Sequence, residues 1–291
     1  MDFSLEAYTM KYHLIISCPD KIGIVAAVST FVASHQGLVL EADQYVDSER
    51  SFFFMRYEVE LSALEVSIEE FGEKFKSLAD EFNMNWSLVD AEKKKKVVIF
   101  VSKHGHCLED LLYRWHCNEL SCDIAMVISN HNDLKERVTW YGVPFLHIPL
   151  PEGGKAEHFQ QVQKQILSLD PDLIVLARYM QILPKNICDQ FESKIINIHH
   201  SFLPSFVGAK PYHQAYAKGV KLIGATAHFV TQELDQGPII TQDVIEVNHR
   251  QSLEDYVKLG KDIEKKVLVN AVKQYLDDRI LIQGHKTIVF K

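Results

Sequence analysis

Five short runs of apolar residues, separated by longer mixed segments, dominate the middle of this chain. They span residues 97–102, 124–129, 145–148, 173–177 and 195–198. A strand formed by such a run is apolar on both faces and needs cover on each. Helix-like stretches at 107–117 and 156–167 can supply that cover. The alternation predicts a mainly parallel, Rossmann-like α/β sheet, continued by strands at 221–230 and 239–247, a helix at 252–276 and a closing hairpin around Gly284.

The segment before this sheet has a different order of elements. Strand-like runs at 12–18, 38–46, 52–61 and 85–89 alternate with helix-like runs at 22–34 and 68–82. This βαββαβ order is that of a ferredoxin-like unit. Asp20 stands where a side chain can cap the first helix. In the later part of the chain, residues 200–220 are predicted to form a long polar loop.

A lysine-rich segment, AEKKKK, separates the two patterns. Residues 1–90 hold 6 basic and 16 acidic side chains, whereas the rest of the chain holds 25 basic and 23 acidic ones. The sequence therefore predicts a domain at 1–90, a linker at 91–96 and a larger domain at 97–291. The second domain is nearly neutral and can accept an anionic ligand.

Charge and apolar pattern exclude several classes of function. The net charge of −8 argues against a general nucleic-acid-binding surface. No apolar run approaches the roughly 20 residues of a membrane helix, and the first residues do not resemble a secretory signal. Five cysteines without a C-x-x-C motif indicate reduced thiols and a cytoplasmic protein. Cys117 and Cys122, with a nearby histidine, form only half of a metal site.

The most informative polar residues follow the run at 195–198. In an open parallel sheet, ligands bind off the carboxyl ends of the strands. Asn197 and His199 lie two positions apart there, so their side chains point the same way in an extended chain. An amide and an imidazole together can stabilise an oxyanion and move a proton, although an isolated N-x-H is more often a turn and a surface histidine. Asp235 supplies a carboxylate if the loop at 233–238 folds back from the strand that carries His228.

These residues resemble the signature of the folate-dependent formyl-transfer family. The matching segments are Asn197-Ile198-His199, continued as H-x-S-x-L-P-x-F-x-G to Gly208, then His228-Phe229-Val230-Thr231, and Leu234-Asp235-Gln236-Gly237-Pro238-Ile239. The first segment of the chain, with Asp20 to Val25 opening its first helix, resembles an ACT domain. An ACT-like domain followed by a formyl-transfer domain is the layout of the formyltetrahydrofolate deformylase family, which the whole chain resembles.

The resemblance implies a reaction and a set of roles. The substrate is 10-formyltetrahydrofolate, and water releases formate from it. Asn197 and His199 donate hydrogen bonds to the oxyanion, Asp235 orients and deprotonates the water, and His228 fixes the Asp235 loop. No metal and no tightly bound cofactor is expected. The residues expected to hold the folate are Met180, Gln181, Ile182, Leu183, Ile195 and Gly237, with Arg178 and Lys210 as candidates for its carboxylates.

One departure within the superfamily bears on the acceptor. Where the ribonucleotide transferase has a glycine-serine-asparagine loop for the substrate phosphate, this chain has Gly105, His106 and Cys107. A phosphate cradle needs close approach to the backbone, so water is favoured as the acceptor. His106 binding a phosphate itself is the alternative.

Two further functions stay open at this point. An acceptor-dependent formyltransferase would also use Asn197, His199 and Asp235, and a non-catalytic folate and amino-acid sensor would not need them. The ACT resemblance implies a homo-oligomer, a dimer or tetramer, and an amino-acid effector bound near Asp20 and Gly23.

Overall fold

The predicted alternation of strands and helices is present in both parts of the chain. The computed structural model describes residues 10–61, 66–204 and 210–291, so positions 205–208 of the predicted motif lie outside the described residues. The chain divides into two units. One contains the residues up to Lys93 with Asp277–Leu281 and Ile288–Lys291, and the other contains Lys94–Leu276 and Ile282–Thr287.

The first unit has the predicted ferredoxin-like order. Its elements are β1 (Lys11–Pro19), α1 (Ile24–Ser34), β2 (Leu38–Asp47), β3 (Phe52–Glu60), α2 (Ile68–Phe82) and β4 (Asn85–Asp90). The strands form an antiparallel sheet in the order β2-β3-β1-β4. Phe71 and Phe75, one turn apart on α2, are fully buried in the core of this unit.

The start of the first helix differs from the prediction. Helix α1 begins at Ile24 rather than residue 22, and Gly23 precedes it with φ of 97° and no side-chain cap. Asp20 therefore does not cap the helix, and its N–H donates to the carbonyl of Ser51 at 2.8 Å. The left-handed turn that glycine permits at position 23 sets the helix start here.

The second unit contains the predicted mainly parallel sheet. Its strands are β5 (Lys95–Val101), β6 (Cys122–Ser129), β7 (Phe145–His147), β8 (Leu173–Leu176), β9 (Ile195–His199), β10 (Leu222–Phe229) and β11 (Ile239–Glu246). The order is β11-β10-β9-β8-β5-β6-β7. The five strands from β9 to β7 are mutually parallel, and β10 and β11 are antiparallel to their neighbours.

Helices lie between most of these strands along the chain, and one helix follows the last strand. They are α3 (His106–His116), α4 (Lys135–Trp140), α5 (Lys155–Leu169), α6 (Lys185–Gln190), α7 (Pro211–Lys218) and α8 (Leu253–Leu276). The expectation of a continuous polar loop beyond residue 199 was wrong, because α7 forms inside it with proline in its first turn. Within the described residues, none of the helices combines the length and apolar character that crossing a membrane requires.

The end of the chain also differs from the predicted domain at 97–291. The hairpin is present as β12 (Ile280–Gln283) and β13 (Lys286–Val289). However, Leu281 and Phe290 pack on Phe54 of β3, within the first unit. Arg279 there reaches Glu41 at 2.7 Å. The assignment of the tail depends on these contacts between residues distant in sequence, which the local pattern does not record.

Candidate active site

Strands β9 and β10 bring three of the predicted residues to one place. The antiparallel pairing sets His228 directly opposite Asn197 and Thr226 opposite His199. Alternate residues of a strand share a face, and so do directly paired residues of neighbouring strands. Asn197, His199 and His228 consequently line one cavity of about 740 Å³ in the second unit.

The loop between β10 and β11 adds Asp235 to this cavity. The N–H of Phe229 donates to the carbonyl of Pro238 at 2.9 Å, which folds the loop back onto the end of β10. A Cβ at Gly237 would overlap the carbonyl oxygen of Phe229, so this approach requires glycine. Asp235 itself has φ of 57°, a left-handed conformation that aspartate tolerates better than most residues.

The four side chains are close enough to act on one another. Oδ2 of Asp235 lies 3.2 Å from Nδ1 of His199, and Oδ1 lies 3.6 Å from Nε2 of His228. The same Nε2 lies 3.3 Å from Nδ2 of Asn197, while Nδ1 of His228 donates to the carbonyl of Phe229 at 2.8 Å. His228 thus stands between Asn197 and Asp235, with its ring anchored to the backbone.

Electrostatics keep Asp235 ionised. Burial raises the pKa of Asp235, but the contacts with His199 and then His228 outweigh it and hold that pKa well below its usual range. At neutral pH the carboxylate is therefore charged. It orients His199 with its Nδ1–H toward Asp235.

The opposite nitrogen of His199 has no such partner. Nε2 of His199 is buried and makes no hydrogen bond to the described residues, although His199 lines the cavity. A buried polar atom without a partner costs free energy unless a ligand or water satisfies it. The atom is thus placed to contact a ligand bound in the cavity.

The segment after β8 forms an apolar wall of the cavity. The predicted Met180, Gln181, Ile182 and Leu183 all line it. Ser102, which was not predicted, holds this segment: its hydroxyl accepts a hydrogen bond from the N–H of Met180 at 3.1 Å and donates to Oδ1 of Asn130 at 2.7 Å. These contacts fix the wall against the end of β5.

Two residues predicted to hold folate lie elsewhere. Ile195 is fully buried in the hydrophobic core beneath the sheet end, because it precedes Asn197 by two positions and lies farther from the strand end. Gly237 does not line the cavity and instead permits the loop to approach Phe229. The other two candidates, Arg178 and Lys210, do line it.

A buried carboxylate that the sequence analysis missed occupies another wall. Glu264 of α8 is 1% exposed. Its oxygens lie 2.8 Å from Nε2 of His106, 2.7 Å from the hydroxyl of Tyr212 and 3.4 Å from Nε of Arg178. Burial raises the pKa of Glu264. The opposing effects of His106 and Arg178 are larger, so the net shift of this pKa is downward. The Nε2 atom of His106 is therefore occupied by its contact with Glu264.

Sequence signals for this cluster existed. Glu264 falls on the buried stripe of α8 with Gly260, Ile263 and Val267, where an acid is rarely found without a partner. Gly260 lies inside this unbroken helix, and a Cβ there would overlap the ring of Tyr212. An acid and a glycine on one apolar stripe together indicate a specific buried contact.

One group of side chains meets the distance condition for a metal site. Among the described residues, ligand atoms of His106, Cys107 and Glu264 lie within 4.8 Å of one another. Burial, and then Glu264, raise the pKa of the Cys107 thiol well above its ordinary value, which disfavours the thiolate that a metal needs. Arg178 also contacts Glu264 and repels a cation. The donor set therefore fits an ion pair better than a metal. Cys117 and Cys122 do not appear in such a group.

Comparison with known proteins places this geometry in a family. Residues 95–272 match the formyl transferase family. Formyltetrahydrofolate deformylase of Bacillus subtilis strain 168 is 45% identical over 281 residues, which cover 96% of this chain and 94% of that protein. The chain belongs to the formyltetrahydrofolate deformylase family.

Solved structures support the same assignment. The crystal structure of a formyltetrahydrofolate deformylase from Pseudomonas syringae pv. tomato DC3000 has a TM-score of 0.94 at 50% identity, over 98% of this chain and 96% of that one. Glycinamide ribonucleotide transformylase 1 from Symbiobacterium toebii has a TM-score of 0.64 at 28% identity and covers 68% of this chain and 95% of that one. The deformylases of this family match both units, whereas the transformylase matches only part of the chain.

Proposed function

We propose that this protein hydrolyses 10-formyltetrahydrofolate to tetrahydrofolate and formate, and so supplies formate and balances the one-carbon folate pool. Relatives of that name match nearly its whole length. The observation that carries the mechanism is Nε2 of His199, which is buried in the cavity wall without a partner among the described residues. It lies beside Asn197 and a charged Asp235, a set that suits acyl transfer.

The first step is attack of water on the formyl carbon. The carbonyl oxygen becomes an oxyanion that accepts hydrogen bonds from Nδ2 of Asn197 and from Nε2–H of protonated His199. Asp235 lies 3.2 Å from the opposite ring nitrogen, Nδ1, and fixes the orientation of the ring. Removing one donor of this kind typically costs about 10²–10³ in kcat.

Asp235 handles the proton of the attacking water. Its lowered pKa makes it a weak base before the reaction begins. Water that has added to a carbonyl carbon is strongly acidic, so a weak base suffices as the adduct forms. The C–N bond then breaks, the folate nitrogen takes up a proton, and formate and tetrahydrofolate remain. A formyl group on an arylamine nitrogen is activated enough that this route uses no metal.

Water is favoured over an amine acceptor by the surroundings of His106. The Nε2 atom that would meet a phosphate is engaged with Glu264 at 2.8 Å. A phosphorylated amine placed here would lie close to the carboxylate of Glu264. Repulsion between these like charges would weaken its binding. The acceptor-dependent transferase is therefore the less favoured function.

The deciding experiment omits every amine acceptor. The full-length protein is incubated with 10-formyltetrahydrofolate, and formate is measured with and without glycinamide ribonucleotide. We expect equal formate release in both. Release only with the ribonucleotide would support the transferase. Treatment with a chelator is expected to leave the rate unchanged, and loss of activity restored by zinc would refute the metal-free mechanism.

The first unit is proposed to regulate and assemble the enzyme rather than to catalyse. None of Asn197, His199 or Asp235 belongs to it, and its fold suits the ACT resemblance. An amino-acid effector is proposed at the turn with Asp20 and Gly23, in a cytoplasmic homo-oligomer, a dimer or tetramer. The test is a panel of amino acids assayed against hydrolysis, with Gly23→Ala as the variant. An effector response that Gly23→Ala leaves unaltered would place the effector elsewhere.

A further inference from the structure

Arg178 holds a backbone conformation that favours glycine. It lies two residues beyond the end of β8 and has φ of 63°. A glycine would adopt this angle without strain, whereas a long side chain adopts it at a cost in free energy. Strained residues of this kind cluster at active sites and at positions that hold ligands.

Two nitrogens of the Arg178 guanidinium group are buried without a hydrogen-bond partner among the described residues. The side chain is only 11% exposed and lines the active-site cavity. Its Nε and Nη1 atoms make no hydrogen bond to the described residues. The 3.4 Å approach of Nε to Glu264 gives charge attraction without hydrogen-bond geometry. Buried donors without acceptors point to a ligand that supplies them.

The surroundings limit what this ligand can be. Arginine selects carboxylates and phosphates. Glu264, 1% exposed, already places one negative charge beside Arg178. That charge repels a phosphate dianion more strongly than a monoanion. Burial, and then Arg178, lower the pKa of His200 to about 4, so this neighbour is neutral and adds no positive charge. Of these two kinds of anion, a small monoanion is therefore repelled less.

We propose that Arg178 is the binding site for the product formate. This inference rests on the proposed hydrolysis, in which a new bond joins the water oxygen to the formyl carbon, the C–N bond breaks, one water proton goes to the folate nitrogen and the other is released. The carboxylate formed then moves onto the unpaired donors of Arg178. Glu264 offsets part of the charge of Arg178, so that formate is held weakly and leaves.

The same carboxylate chemistry exists in the glutamate part of the folate. Arg178 is too buried to serve a group that stays at the cavity mouth, which favours formate. The two sources separate experimentally. Formate is titrated into the free protein at constant ionic strength to measure its affinity. The KM for 10-formyltetrahydrofolate is measured separately.

The test compares two variants of Arg178 with a matched control. Arg178→Gln removes the charge, and Arg178→Gly also suits the positive φ and therefore preserves the fold. We expect both to weaken formate affinity by about tenfold or more, because a charge-assisted hydrogen bond is lost. Arg250→Gln, at an exposed arginine outside the cavity, should leave the affinity unchanged. Glu264→Gln should tighten formate binding several-fold.

Several outcomes would overturn the proposal. They are an absence of formate binding to the wild-type protein, equal affinity in the Arg178 variants, or a raised KM with unaltered formate affinity, which would assign Arg178 to the folate carboxylate. Unchanged formate affinity in Glu264→Gln would refute the charge offset. The titration contains no substrate, so a protein that binds formate at Arg178 but does not hydrolyse 10-formyltetrahydrofolate would refute only the proposed function.

Discussion

His199 and Asp235 form the central contact of the candidate site, with Nδ1 of the imidazole 3.2 Å from Oδ2 of the carboxylate. The contact leaves Nε2 of His199 as the ring atom that faces a ligand. It joins the end of β9 to the loop after β10, so both the pairing of these strands and the return of the loop are needed for it.

Asp235→Asn is expected to abolish most of the turnover. The change is nearly isosteric but removes the negative charge that holds His199 and takes the proton of the water. We expect kcat to fall by about 10²–10⁴, measured as formate release from 10-formyltetrahydrofolate. Asp262→Asn, at an exposed aspartate on α8, is the control and should retain wild-type kcat. Wild-type kcat in Asp235→Asn would remove Asp235 from the mechanism.

Asn197→Ala should act on kcat rather than on KM. Its hydrogen bond strengthens as the oxyanion develops, so its loss raises the barrier without much effect on ground-state binding. A fall of about 10²–10³ in kcat is expected. The exposed Asn270 of α8 provides the matched Asn→Ala control. A raised KM at constant kcat would instead mean that Asn197 only binds the folate.

The stabilising effect of Asp235 should depend on pH in a defined direction. The pKa of Asp235 is lowered in the folded protein, so its charged form stabilises the fold above the unfolded-state pKa of about 3.9. As the pH falls through that value toward the lowered one, this contribution disappears. The difference in free energy of unfolding between wild type and Asp235→Asn, from denaturant titrations, should shrink from pH 7 to pH 3. A difference that grows on acidification would contradict the assignment.

Gly237→Ala should disturb the active site through the backbone. The added Cβ would overlap the carbonyl oxygen of Phe229, so the loop must shift and carry Asp235 with it. Overpacking of this kind costs about 1–3 kcal/mol, and we expect a lower Tm together with a strong loss of kcat. Gly72→Ala in α2 meets only Trp86 at 3.6 Å and should be neutral or stabilising. Full activity in Gly237→Ala would show that the position of this loop is not critical.

Patterns of local burial predicted most of the fold. The strands β5, β6, β8 and β9 lie where short apolar runs occur, because a strand covered on both faces must be apolar on both. Alternation along β9 also predicted that Asn197 and His199 share a face. Ile195 was expected at the folate site from the family resemblance alone, and its burial in the core could not be predicted from the local sequence.

The missed residues share a physical cause. Tyr212 and Glu264 come from two separate helices, α7 and α8. Their convergence depends on how α7 and α8 pack in the second unit. The buried stripe that carries Glu264 and Gly260 on α8 was the one signal available.

The sequence by itself determined the two βα patterns, the residue types at the end of β9 and the motif around Asp235, because backbone periodicity and turn chemistry are local properties. Only the tertiary structure decided that Asp235 contacts His199, that His106 is paired with Glu264, that Gly237 lets its loop approach Phe229, and that Arg279 and Phe290 belong to the first unit. These depend on contacts between residues far apart in the chain, where a shift of one side chain by a few ångströms decides whether a charge is paired, buried or left to meet a ligand.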